Sequence, residues 1–284
     1  MTTNSSDTKH LQQMMSSHKD RATVIAVTSG KGGVGKTNIS ANLAVCFAAS
    51  DKKVVLIDAD LGMGNLDIIM NINSKKTLQH VLEGNKQLKD VIQHSPTGVD
   101  LICGGSGYDG LANINKFQQE RLLSDLKQLQ NEVDIILIDT AAGINHSVTD
   151  FCCSADQVLV VTTPEPTAMT DAYGMIKVLT KKNYPGRISL LVNMAASISE
   201  GKQVYRQIAN VSSRFLKRDV YEGGIIRKSE KLVQAVRQRK PVVLAYPKSI
   251  VTNSLVTVAA RMQRNTTQMN TNTGLFKKVM DLFF

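Results

Sequence analysis

Residues 30–37 read Gly-Lys-Gly-Gly-Val-Gly-Lys-Thr, between an apolar run ending at Thr28 and a helical pattern beginning near Thr37. Glycines lacking a Cβ let successive backbone N–H groups converge on phosphate oxygens, and the N-terminus of the following helix adds its positive end. In such a loop Lys36 reaches the β- and γ-phosphates and the Thr37 hydroxyl ligates Mg²⁺. The expected nucleotide-binding set is Gly30, Lys31, Gly32, Gly33, Val34, Gly35, Lys36, Thr37 and Asn38. Three carboxylates follow at two apolar run ends. Asp139 closes Asp-Ile-Ile-Leu-Ile-Asp, the position that holds Mg²⁺, usually through water. Asp58 and Asp60 close Val54–Ile57. An aspartate at a strand end also serves as a helix cap or solvated turn. Three of them converging beside a phosphate loop favour the chemical role.

These side chains need a scaffold that gathers strand ends. The runs Val24–Thr28, Val54–Ile57, Ile135–Ile138, Val158–Thr163 and Ile188–Val192 are short and apolar throughout, as in strands buried on both faces. Between them lie helical patterns at Asn38–Ala49, Lys116–Gln130, Asp171–Lys181 and Lys202–Phe215. That alternation predicts an α/β fold: a doubly wound, mostly parallel sheet flanked by helices, with ligands at the carboxyl ends of the strands. Further helices are expected at 229–239, stopped by Pro241, and at Asn253–Met262. The divisions expected are a loose polar segment 1–21, an ATPase domain 22–263, an Asn/Thr-rich linker 264–273 and a distinct tail 274–284.

Composition agrees with one soluble α/β domain: 284 residues, 42% hydrophobic and 20% charged. No apolar run reaches the roughly 20 residues of a membrane span, and the polar start has no signal-peptide core, so a cytoplasmic protein is expected. Cys46, Cys103, Cys152 and Cys153 form no CxxC pair, which leaves them structural. The five histidines are scattered and suggest no metal site. A net charge of +10 implies affinity for polyanions, either nucleic acid or an anionic membrane face, or else a solvated basic surface.

The second lysine, Lys31, makes Lys-Gly-Gly-Val-Gly-Lys-Thr resemble the MinD/ParA class of deviant Walker A P-loop ATPases. The resemblance implies a nucleotide-sandwich homodimer in which Lys31 crosses to the partner's phosphates. It also implies that Asp60 positions the attacking water, that Asp58 orders the metal shell, and that Asn193 contacts adenine. Residues 36–43, Lys-Thr-Asn-Ile-Ser-Ala-Asn-Leu, residues 139–144, Asp-Thr-Ala-Ala-Gly-Ile, and residues 165–173, Glu-Pro-Thr-Ala-Met-Thr-Asp-Ala-Tyr, are similar to the FlhG/FleN branch, the MinD-like ATPases that control flagellar number. The likeness runs from about Thr23 to Leu255. Partners implied are an FlhF-type GTPase, flagellar switch proteins or a flagellar transcription regulator. Two departures stand out. Of the branch's N-terminal Asp-Gln-Ala-x-x-Leu-Arg motif, which engages FlhF, only Leu11 matches. Arg227 and Ser229 stand where the branch usually has Pro and Asp, near the base.

In the last ten positions, a helical wheel puts Leu275, Phe276, Val279, Met280, Leu282 and Phe283 on one face, and Lys277, Lys278 and Asp281 on the other. Such a segment describes an interfacial membrane helix, or a terminal helix docked on the protein's own core. The linker before it and the similar tail of the family favour the anionic membrane surface as partner of Leu275–Phe284, reversibly and on the inner face. The expected activity is ATP hydrolysis (Lys31, Lys36 and Asp60 catalytic; Thr37, Asp58 and Asp139 on the metal), with dimerisation and membrane attachment as output. Alternatives are a MinD-like division-site regulator and a ParA-like ATPase. The latter would bind DNA through Arg227, Lys228, Lys231, Arg237, Arg239 and Lys240, although an exposed basic helix face is the favoured reading of these residues. A non-catalytic adaptor and an iron–sulfur carrier are disfavoured by the intact Lys36, Asp60 and Asp139 and by the missing CxxC.

Overall fold

The computed structural model describes residues 21–60, 64–105, 125 and 128–264. The N-terminal segment, the tail Leu275–Phe284, its linker beyond Arg264 and most of the helix expected at Lys116–Gln130 lie outside them; so do residues 61–63.

Strands β1 (Thr23–Ser29), β2 (Val54–Ala59), β3 (Gln93–His94), β4 (Val99–Ile102), β5 (Ile135–Ala142), β6 (Gln157–Thr162), β7 (Arg187–Ala195) and β8 (Tyr221–Arg227) form one sheet in the order β3-β4-β2-β5-β1-β6-β7-β8. Only β3 runs antiparallel to its neighbour, β4. The central strands are buried on both faces, and their side chains divide by parity. Val24, Ala26, Ile136, Ile138, Val158 and Val160 enter one core; Ile25, Val27, Ile135, Leu137, Leu159 and Val161 enter the other. This is the period of two expected of a pleated strand.

Each core has its own helices. The first is covered by α2 (His146–Ser154), α3 (Pro166–Lys181) and α4 (Ile198–Val211), which continues as a π-helical turn at Ser212–Leu216. The second is covered by α1 (Lys36–Ala48) and α6 (Ile250–Arg264), with α5 (Glu230–Arg237) and the turn Val242–Ala245 beside them. α1 is buried along most of its length, so even Ser40 and Asn42 are enclosed. Asn42 answers its burial with two bonds: Nδ2 donates to the Asn38 carbonyl (2.7 Å) and Oδ1 accepts from the Val243 N–H (3.1 Å). All four cysteines are free, three of them buried.

Candidate nucleotide site

The loop between β1 and α1 follows from its glycines. Gly33 and Gly35 stand at φ +79° and +93°, in the left-handed region that a Cβ disfavours. Two close approaches add to this. A Cβ at Gly35 would lie 2.6 Å from Asn193 Nδ2, and one at Gly30 would lie 2.3 Å from the Asp171 carbonyl oxygen. The loop is thus wedged between the end of β7 and the second turn of α3.

Parity aims the acidic groups. In β5 the residues facing α1 are 135, 137 and therefore 139; in β2 they are 54, 56 and therefore 58. Asp58 and Asp139 are also direct register partners on adjacent strands. Both are buried. Asp139 Oδ1 accepts from Ser40 Oγ at 2.7 Å. Burial raises the Asp139 carboxyl to about 6, against the Ser40 and Thr37 hydroxyls and the Lys36 charge, which hold it down. Burial, and next the charge of Asp139, raise Asp58 to about 7, even though Asp58 Oδ1 accepts the Asp60 N–H at 3.0 Å. Lys36 is itself buried, which lowers its pKa while Asp139 and Asp60 pull the other way. The result is a desolvated cation beside buried carboxylates at the C-terminal edge of the sheet.

Two other sequence-designated residues take less expected positions. Lys31 points away from this cradle. Its Nζ donates to Glu165 Oε2 and to Thr167 Oγ1, both at 2.8 Å, at the start of α3. Its backbone carbonyl accepts from Ser29 Oγ (2.7 Å). The side chain stays 38% exposed, so the ammonium sits on the rim. Asn193 shares the α1-facing parity of Leu191 and is 1% exposed. Its Nδ2 donates to the Val34 carbonyl at 2.8 Å, which ties β7 to the loop and leaves Oδ1 without a partner. Arg227, exposed at the end of β8, pairs in register with Ala195, so it flanks the same corner.

Sequence reasoning missed Ser40, Glu165 and Thr167. Ser40 lies four residues after Lys36 on a helix, a spacing that stacks both on one face. Glu165 and Thr167 follow the C-terminal end of β6, the strand beside β1, where an α/β sheet places ligands.

The chain matches the model of a family described as an AAA domain over residues 22–187. It is 38% identical over 252 residues to the antiactivator FleN of Pseudomonas aeruginosa, covering 89% of each chain. It is 35% identical over 243 residues to the flagellum site-determining protein YlxH of Helicobacter pylori, covering 85% of this chain and 82% of the relative. Its fold is that of the septum site-determining protein MinD of Pyrococcus horikoshii, solved with Mg-ADP. The TM-score is 0.73 at 24% identity, over 86% of this chain and 97% of that one.

Proposed function

Because this chain belongs to the MinD/ParA family of P-loop ATPases, in the branch of FleN and FlhG, we propose that it is an ATP-driven dimerisation switch that sets flagellar number or placement. Its substrate is ATP, taken with Mg²⁺. The residues present suit both. Positive-φ glycines shape the loop, and Asn193 Oδ1 is a buried acceptor in want of a donor such as the adenine amino group. Two buried carboxylates held at about 7 and 6 gain from a cation that would charge them. A bound Mg²⁺ would neutralise negative charge on the phosphate oxygens as the bond breaks.

The roles divide as follows. Gly30–Gly35 and Asn38 line the phosphate cradle, and Lys36 lies under the β- and γ-phosphates. Thr37, Asp58 and Asp139 hold the metal shell, with Ser40 fixing one Asp139 oxygen. Asp60, whose N–H donates to Asp58 and whose charge acts on Lys36, would orient water for in-line attack on the γ-phosphate. No strong general base is required, since phosphoryl transfer depends mainly on positioning and charge.

One observation carries the dimer: Lys31 is a second loop lysine that its own cradle does not use. Its bonds to Glu165 and Thr167 are exposed, and an exposed ion pair is worth only about 0–1 kcal/mol. A partner's γ-phosphate, reached face to face, is the stronger ligand. Dimerisation doubles a weak tail anchor, so avidity couples ATP to reversible attachment on the inner face of the membrane. Among the described residues no helix is long and apolar enough to cross a membrane.

Phosphate release by wild type and Asp60→Ala tests the chemistry. The variant is expected to lose turnover by about a hundredfold or more, and equal rates would remove Asp60 from its role. Co-sedimentation with anionic vesicles, in ATP against ADP, tests the output. Retention in ADP as strong as in ATP would uncouple attachment from the nucleotide.

A further inference from the structure

A second basic surface lies far from the nucleotide loop. In and just after its π-helical turn Ser212–Leu216 the chain carries Arg214, Lys217 and Arg218 against one acidic residue, Asp219. Arg214 and Lys217 are exposed and neither is in an ion pair among the described residues; the Arg214 guanidinium lies 5.3 Å from the centroid of the Phe215 ring. Within this field two apolar side chains stand in solvent: Val211 at 40% and Phe215 at 65% exposure, four positions apart and so on one face. Phe215 is held out by a built structure. Ser212 beneath it is buried, the π-helical turn ends on Lys217 in the left-handed region, and Arg218 donates to the Gly186 carbonyl. The Tyr205 hydroxyl ties α4 to the Val220 carbonyl (3.1 Å).

The location adds a second argument. α4 descends from the end of β7 to the start of β8, so its basic turn sits at the N-terminal edge of the sheet. α6 ends on that same edge. Gln157 Nε2, at the start of β6, donates to the Met262 carbonyl (3.3 Å), and Arg261 pairs with Glu222, at the start of β8 (2.7 Å). The chain therefore passes Arg264, the last described residue, on the edge that displays Phe215.

We propose that Val211 and Phe215, with Arg214 and Lys217 beside them, form a second lipid contact that takes anionic headgroups and buries the phenyl ring at the interface. This rests on the reading that the chain works at an anionic membrane. An aromatic flanked by cations matches the interface, where rings settle at headgroup depth and each lysine or arginine adds attraction to acidic lipid. The contact lies on the edge opposite the phosphate loop, so it belongs to the single protomer. It needs no nucleotide, and it leaves the loop uncovered for a second copy.

The chain has no tryptophan, so Phe215→Trp in the full chain gives one fluorophore at an exposed site that tolerates it. With phosphatidylglycerol/phosphatidylcholine vesicles its emission is expected to shift to the blue and to be quenched by bilayer bromolipids, weakly without ATP and more strongly with it, when two copies of the contact act together. Pure phosphatidylcholine is expected to leave it unchanged. Adding Arg214→Glu and Lys217→Glu should weaken the partition by roughly tenfold or more. Phe283→Trp, in a separate full-length variant, reports the tail. A tail response with a silent Phe215→Trp overturns this proposal alone, and silence from both overturns the membrane reading too. Emission already blue in buffer would mean that the face is covered by protein. A Phe215→Trp response to DNA oligonucleotides but not to vesicles would make it a nucleic-acid surface. Either result overturns the proposal.

Discussion

Asp58 and Asp139 face each other across two parallel strands, and neither has a cationic partner to itself. The folded protein therefore holds protons that the unfolded chain would release. With Asp58 raised from 3.8 to about 7, its contribution to stability is full below about pH 4 and is lost as pH climbs through 7. Asp58→Asn should accordingly raise the melting temperature of the nucleotide-free protein by at least about 2–4 °C at alkaline pH, with a smaller gain near pH 5. A calorimetric pH series checks both size and sign. The same protons compete with Mg²⁺, so its apparent affinity in the presence of nucleotide should fall as pH drops from about 8 to 6; a flat Mg²⁺ titration across that range would contradict this. Gly35→Ala meets both a positive φ and Asn193 Nδ2, and should cost about 1–3 kcal/mol of stability together with nucleotide binding, read by denaturation and by equilibrium dialysis.

At the scale of elements, Gly201 in α4 separates two opposing expectations. Helix propensity alone makes Gly→Ala favourable by about 1 kcal/mol. Here a Cβ would lie 2.3 Å from Ile225 Cγ2 in β8, so Gly201→Ala should instead destabilise by about 1–3 kcal/mol, measured by chemical denaturation. The five strands read from apolar runs all exist, because strands buried on both faces admit little else. β8 escaped that reading because Gly223 and Gly224 interrupt its run. The first is required where a Cβ would lie 2.7 Å from Leu159 Cδ1, and the second stands at φ +153°. The two-residue β3 and four-residue β4 were too short to declare a period. Helix starts were read late. α3 begins at Pro166 rather than Asp171, and α4 at Ile198 rather than Lys202. Both had local signals: proline in the first turn, and Ser197 with Glu200. Ser197 Oγ accepts the Glu200 N–H (3.1 Å), while Glu200 Oε2 accepts the Ala196 N–H (2.6 Å). Loop spacing and strand ends single out Lys36, Asp58 and Asp139, and the fold buries all three at one edge of the sheet. The anchoring of Lys31 by Glu165 depends on β6 lying beside β1, a non-local pairing that a one-dimensional pattern does not carry.

For the whole molecule, the sheet has two working edges. The C-terminal edge gathers the loop, the carboxylates and the rim lysine, and the N-terminal edge carries the basic turn and the last residues of α6. The central claim concerns the first edge: Lys31, held in its own protomer by a weak exposed contact, becomes the bond between two protomers when ATP is bound. Light-scattering mass of Asp60→Ala, with and without Lys31→Ala, in saturating Mg-ATP tests it most directly. Blocking hydrolysis is expected to trap a dimer at twice the monomer mass of 31.0 kDa, and adding Lys31→Ala to return it to monomer while nucleotide stays bound. A dimer that persists without Lys31, or a monomer that persists with ATP trapped, would contradict it.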